Sequence, residues 1–210
     1  MIAQLLRKRT LTLCAVLLTL AMQAQDRFGG LALYTVRDDM SKNAVETLKA
    51  VADAGYAYVE AAGYSDGKFY GMEPQDFSKT LKEVGLKPVS THQGFENMDN
   101  IDEMIADVKA AGFKYFVIPV PPMGHFKSED GKMSMSEELE FLTNVLNTVG
   151  EKCNAAGLEL LYHNHDFEFV KNSKGIVPIE YFLENTDPGT VNFEMDLYWV
   201  TRAGADPLAY

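Results

Sequence analysis

Four times in this chain a helical pattern closes on a glycine that leads straight into an apolar run: Asp53-Ala54-Gly55-Tyr56, Glu83-Val84-Gly85-Leu86, Ala110-Ala111-Gly112-Phe113 and Ala155-Ala156-Gly157-Leu158. Glycine past a helix end takes the left-handed backbone without a Cβ clash, so each of these tetrapeptides reads as a helix stop. From Gly55 to Gly85, Gly112 and Gly157 the spacings are 30, 27 and 45 residues. The first two are the length of a strand, a helix and two short loops, and the third leaves room for a longer loop.

The segments between the stops have the matching periods. Ile101, Met104, Ile105 and Val108 recur at helical spacing, as do Leu139, Leu142, Leu146 and Val149, which predicts amphipathic helices packed on a sheet. Phe113 to Val120 and Leu158 to Tyr162 are nearly continuous apolar runs, as parallel strands buried on both faces require. Strands are predicted near 30–35, 56–61, 86–92, 113–120, 158–165 and 190–197. Helices are predicted near 42–54, 74–84, 98–111, 135–156 and 178–185. Strand and helix in unbroken alternation mean a parallel α/β domain, either a doubly wound sheet or a (β/α)8 TIM barrel. No Gly-x-Gly-x-x-Gly or P-loop follows the first strand, and that favours the barrel.

The 19 Lys and Arg against 30 Asp and Glu, a net charge of -11, argue against nucleic acid as a partner, since phosphate contacts need a basic surplus. Residues 1–24 read as a secretory signal: Arg7, Lys8 and Arg9, then an apolar run from Leu11 to Met22, too short for a stable membrane anchor. Cleavage near Ala24 would remove three positive charges and leave Cys153 as the sole cysteine. The expectation is an exported, periplasmic or extracellular domain over residues 25–210 without a disulfide.

The polar residues at strand ends carry the chemistry. His92 and His125 follow the third and fourth strands, His163 and His165 close the fifth, Glu60 closes the second and Asp196 the sixth. In a barrel these six converge on the face where catalytic groups sit. In His163-Asn164-His165 strand alternation sends both imidazoles to one side and Asn164 to the other. Imidazole with carboxylate suits a borderline divalent cation such as zinc or manganese, and Asp196 could supply the carboxylate. Glu168, just past this strand, reads as a ligand, an acid/base group or a solvated residue. Tyr34, Tyr64, Phe69, Tyr70 and Trp199 lie near strand ends, where aromatic rings can stack on sugars or simply pack.

Gly30-Leu31-Ala32-Leu33-Tyr34-Thr35-Val36-Arg37-Asp38-Asp39, Tyr58-Val59-Glu60, Tyr162-His163-Asn164-His165-Asp166-Phe167-Glu168-Phe169 and Met195-Asp196-Leu197-Tyr198-Trp199 together resemble the sugar phosphate isomerase/epimerase family, whose members have the xylose isomerase-like TIM barrel. The resemblance implies one divalent metal, zinc or manganese before magnesium or cobalt, held by residues from strands five to eight. Asp196 matches the sixth-strand ligand. The fifth-strand ligand, often glutamate in the family, is here His163 or Glu168, with His165 in the place of a catalytic or substrate-contacting histidine. His92 and Glu60 are similar to residues lining the family's pocket, and Trp199 stands where epimerases often have histidine. Strands seven and eight of the family pattern are not found before Tyr210, so six of eight units are expected.

The function implied is that of a metal-dependent sugar isomerase, epimerase or related lyase, which removes a proton next to a carbonyl. Glu60, His165 and Glu168 are the candidate acid/base groups, and Tyr34, His92 and Trp199 the candidate substrate contacts. Export and the lack of an arginine cluster at the strand ends favour a neutral sugar, cyclitol or 3-keto-glycoside over a phosphorylated one. The alternative is an exported sugar-binding protein or an inactive barrel fragment. A homodimer is the assembly to test for.

Overall fold

The structure, a computed structural model, describes residues 29–94, 99–120, 126–129, 132–135 and 139–210. The signal read in residues 1–24 and the strand-end His125 lie outside them. In chain order the elements are β1 (Gly30–Ala32), α1 (Arg37–Lys42), α2 (Ala44–Asp53), β2 (Tyr58–Ala61), β3 (Tyr64–Ser65), β4 (Lys68–Phe69), α3 (Pro74–Val84), β5 (Lys87–His92), α4 (Ile101–Ala110) and β6 (Tyr115–Ile118). Next come β7 (Phe126–Glu129), β8 (Lys132–Met135), α5 (Leu139–Ala156), β9 (Glu159–His163), α6 (Pro178–Asn185), β10 (Val191–Glu194) and α7 (Leu197–Arg202).

The helix stops are built as their sequence predicts, and each has the same hydrogen bonds. Gly55, Gly85, Gly112 and Gly157 all have positive φ, between 79° and 98°. Past them, the N–H groups of Tyr56, Leu86, Phe113 and Leu158 donate back to the carbonyls of Val51, Leu81, Val108 and Cys153, five residues earlier. That is the Schellman closure, repeated four times, and it turns the chain from helix directly into the next strand.

Six strands form one sheet in the order β1-β2-β5-β6-β9-β10, every neighbouring pair parallel. The order never reverses, whereas a doubly wound sheet has a switch point where it does. The barrel winding is therefore the one present, and all six strands end on the same rim.

The helices seal the outside of this sheet. Leu48 and Val51 of α2, Phe77 and Leu81 of α3, Met104 and Val108 of α4, Leu146 and Val149 of α5 and Phe182 of α6 are buried. Burying each such side chain stabilises the fold by roughly 1.5–3 kcal/mol. Phe69, for which the sequence leaves sugar stacking and plain packing open, belongs to this core. It is fully buried, stacks on Phe77 at 5.3 Å between centroids and meets Phe113 in a tilted contact.

The strands are shorter than their apolar runs suggest, and the difference matters at the rim. Residues 33–36 form a 3-10 turn and 37–42 a helix instead of continuing β1. β10 stops at Glu194, and Asp196 caps α7 by accepting from the N–H groups of Tyr198 and Trp199. Two hairpins, β3-β4 and β7-β8, stand where the sequence suggests loop, because short polar strands carry no apolar run. No described helix is long and apolar enough to cross a membrane.

Gly150 shows how closely α5 approaches the sheet. A Cβ there would stand 2.7 Å from the carbonyl oxygen of Thr190. Alanine is favoured over glycine in a helix interior by about 1 kcal/mol, yet Gly150→Ala is expected to cost a net ~1–3 kcal/mol from this overlap. Urea unfolding would show it as a lower midpoint; a midpoint raised above wild type would mean that α5 is free to move off β10.

Candidate active site

The rim places five polar side chains in one connected cluster. Between Val59 and Glu60 the register of β2 against β5 shifts, so that Glu60 pairs with Ser90. Ser90 Oγ donates to Glu60 Oε2 at 2.7 Å, and Glu60 Oε1 stands 3.1 Å from Nε2 of His92, the last residue of β5. On the other side, His163 ends β9 and Glu194 ends β10, and the two are partners in the parallel register. Glu194 Oε1 lies 2.9 Å from His163 Nδ1 and 3.5 Å from His92 Nε2. The rings of His92 and His163 are 4.8 Å apart, and His165 is 5.1 Å from His163. Alternation thus brings His163 and His165 together as their spacing predicts.

These contacts drive the imidazoles apart electrostatically. Burial opposes a charge on His92, but the adjoining carboxylates of Glu194 and Glu60 outweigh it and push His92 up to about 9. Burial likewise works against the Glu194 anion, but its contacts with His163 and His92 prevail and hold the carboxyl well below the usual range. An ionised Glu194 only accepts hydrogen bonds, so the proton of the 2.9 Å contact sits on His163 Nδ1. His165 goes the other way: burial first, then the neighbouring His163, pushes it down to about 4. The two imidazoles are thus shifted in opposite directions, His92 towards its protonated form and His165 towards its neutral one, and binding of a cation by His92 would release its proton.

The cavity at the strand ends measures about 850 Å³ and is lined by Glu60, His92, His163, His165, Glu194 and Asp196, with Tyr34, Tyr64 and Trp199 at its wall. A second, mainly apolar groove of about 570 Å³ lies along β1 and α2, away from these groups. Tyr34 is 60% exposed and carries the Arg37 guanidinium over its ring. Trp199 sits 5.2 Å from His165, which also stacks on Phe167. Tyr64 and Tyr70 are tied elsewhere by their hydroxyls, to Asp107 at 2.6 Å and to the Ala62 N–H. Asp196 reaches the cluster with Oδ2, 3.9 Å from His163 Nε2, while its Oδ1 caps α7.

Glu168 lies apart from the cavity. It is fully buried, Oε1 accepting from the Tyr162 hydroxyl at 2.8 Å and Oε2 from the His165 N–H at 2.9 Å. Both oxygens are used in holding the turn after β9. Glu194 is the cavity residue that sequence reasoning misses. A signal for it exists in the chain: it lies two residues before Asp196, on the same side of an alternating strand.

His92, His163 and Glu194 can each offer one ligand atom within 4.8 Å of the others. His92 Nε2 is buried and makes no hydrogen bond of good geometry, although two carboxylates face it. Two imidazoles, one of them with an unpartnered ring nitrogen, and a carboxylate fit a borderline divalent cation, with Asp196 next to the group.

Comparison with known proteins agrees with this architecture. A sugar phosphate isomerase/epimerase from Parabacteroides distasonis superposes with a TM-score of 0.72 at 26% identity, over 86% of this chain and 73% of that one. The fold is the xylose isomerase-like TIM barrel. An L-ribulose 3-epimerase shares it at 15% identity, with a TM-score of 0.62 over 84% of this chain and 63% of that one. Among curated proteins, the inosose dehydratase of Geobacillus kaustophilus is 23% identical over 181 residues, 78% of this chain. The chain spans 56% of that relative's length. No family model matches the chain.

Glu168 has a consequence for stability. Burial raises its carboxyl from 4.5 to about 7, against the hydrogen bonds from Tyr162 and the His165 N–H. A proton held more tightly in the folded state stabilises it, fully below about pH 4.5 and progressively less as pH rises through about 7. Glu168→Gln should remove this slope, so that the stability difference between wild type and variant changes by ~1–3 kcal/mol from pH 5 to pH 8. Denaturant unfolding across that range checks it; parallel profiles would mean that Glu168 is ionised throughout.

Proposed function

We propose that this barrel belongs to a metal-dependent enzyme that removes a proton from the carbon next to a carbonyl in a neutral sugar, cyclitol or 3-keto-glycoside. The outcome would be isomerisation, epimerisation or β-elimination. The observation that carries the reading is the convergence of His92, His163, Glu194 and Glu60 from four parallel strand ends into one cavity. The likeness to a sugar phosphate isomerase/epimerase and to inosose dehydratase supports it.

His92, His163 and Glu194, with Asp196 beside them, are the residues that would hold the ion. A divalent cation bound there would supply Lewis-acid polarisation of the substrate carbonyl. The chain's own groups do the rest. Glu60, fixed by the Ser90 hydroxyl, is placed to take or return a proton. His165, neutral and packed between Phe167 and Trp199, can donate to or accept from a sugar hydroxyl without adding charge. Tyr34 and Trp199 present ring faces at the cavity wall to the apolar face of a sugar. Among the described residues, no arginine or lysine lines the cavity, which favours a substrate without phosphate. Residues 1–24 fit a secretory leader, which would place the reaction outside the cytoplasm.

Incubation with Mn²⁺ or Zn²⁺ in D2O, with a panel of ketohexoses, inososes and 3-keto-glycosides, should yield one class that exchanges its proton α to the carbonyl, read by NMR. Glu60→Gln should slow that exchange by about 10²- to 10⁴-fold. Saturable sugar binding with no exchange in any class would instead make the chain a binding protein.

A further inference from the structure

The middle residue of His163-Asn164-His165 points away from the cavity, and it is only 3% exposed. Its amide faces the neighbouring strand end. Asn164 Oδ1 accepts from the Asp196 N–H at 2.9 Å, and Nδ2 donates to the Asp196 carbonyl at 3.3 Å. A side-chain amide bonded to both the N–H and the C=O of one residue imitates a strand neighbour. The backbone pairing of β9 with β10 ends at His163 and Glu194, where β10 turns towards the cap of α7. Asn164 continues the pairing one step further with its side chain.

We propose that Asn164 is a positioning residue, whose amide fixes the separation of the β9 and β10 ends and so holds His163 against Glu194 and Asp196. The inference rests on the reading of this cluster as the cation site. Its physical basis is the cost of the alternative. Without the amide, the Asp196 N–H loses its partner and the Asp196 C=O keeps only the Val200 N–H of α7, so neither group ties Asp196 to β9 any longer. The direct tie then left between the two strand ends would be the 2.9 Å contact of His163 Nδ1 with Glu194, which strand divergence would lengthen. Residues that orient metal ligands from behind typically change affinity by about 10- to 100-fold when removed.

The test uses the full chain, metal-free and with ¹⁵N-labelled histidine, together with titration by Co²⁺ alone. Wild type should show a downfield His163 Nδ1–H resonance bonded to Glu194, assigned by its loss in His163→Gln. Asn164→Ala should lose that resonance and bind Co²⁺ about 10-fold or more weakly, with an altered visible spectrum. Asn172→Ala is the control: Asn172 is also a buried asparagine and accepts from the Lys174 and Ile176 N–H groups, so it should cost stability yet keep both signals. If Asn164→Ala does not fold, Asn164→Asp decides, because it keeps the bond to the Asp196 N–H and loses the donor to its carbonyl. It should weaken both signals. A folded Asn164 variant with the wild-type resonance and wild-type Co²⁺ affinity overturns the proposal. If wild type binds no Co²⁺, the cation reading of the cluster fails, and the resonance alone then decides the role of Asn164.

Discussion

Parallel strands joined in sequence by crossover helices must all finish at the same edge of their sheet, and everything proposed for this protein depends on that constraint. β2, β5, β9 and β10 come from distant parts of the chain, yet Glu60, His92, His163 and Glu194 meet because each stands at or next to the last residue of its strand. The winding that delivers them is enforced locally. Four Schellman closures turn the chain at the helix ends, and the apolar faces of α2 to α6 press each return onto the sheet.

Collecting that many ionisable groups in one half-buried place has an electrostatic cost, and the arrangement offsets it by pairing. Glu60 and Glu194 share the charge of His92, and Glu194 also takes the Nδ1 proton of His163 in a hydrogen bond. His165 and Glu168 are shifted towards their neutral forms by burial instead. Two carboxylates in one strand-to-turn neighbourhood thus behave oppositely. Glu194 is paired with imidazoles and stays an anion; Glu168 is paired with a hydroxyl and an N–H group and holds a proton more readily. At Glu194 the imidazole partners outweigh burial, whereas at the fully buried Glu168 burial outweighs the hydrogen bonds.

Much of this is legible in the chain. Glycine punctuation and helical periodicity reveal the β/α units because backbone handedness and burial are local properties. The His163 and His165 pair is legible for the same reason: alternation along a strand is local. What the chain does not reveal depends on where strands stop. Phe69 packs into the core from a two-residue strand of a hairpin, and Asp196 caps α7 as well as lining the cavity because β10 ends at Glu194, three residues before the predicted end. Glu194 escapes notice as a cavity residue for that reason too. Its role is set by its cross-strand partner, His163, and register between strands far apart in sequence is not written in either strand alone.

Whether His92, His163 and Glu194 form a cation site within a sugar-sized cavity can be seen by anomalous diffraction from crystals of the protein grown with Zn²⁺ or Mn²⁺. The expected result is a peak bonded to these three residues, at about 2.0–2.2 Å for zinc, with Asp196 at or near bonding distance. A peak bound elsewhere, or His92 still paired with Glu60 and Glu194 and no ion among them at saturating metal, would contradict it.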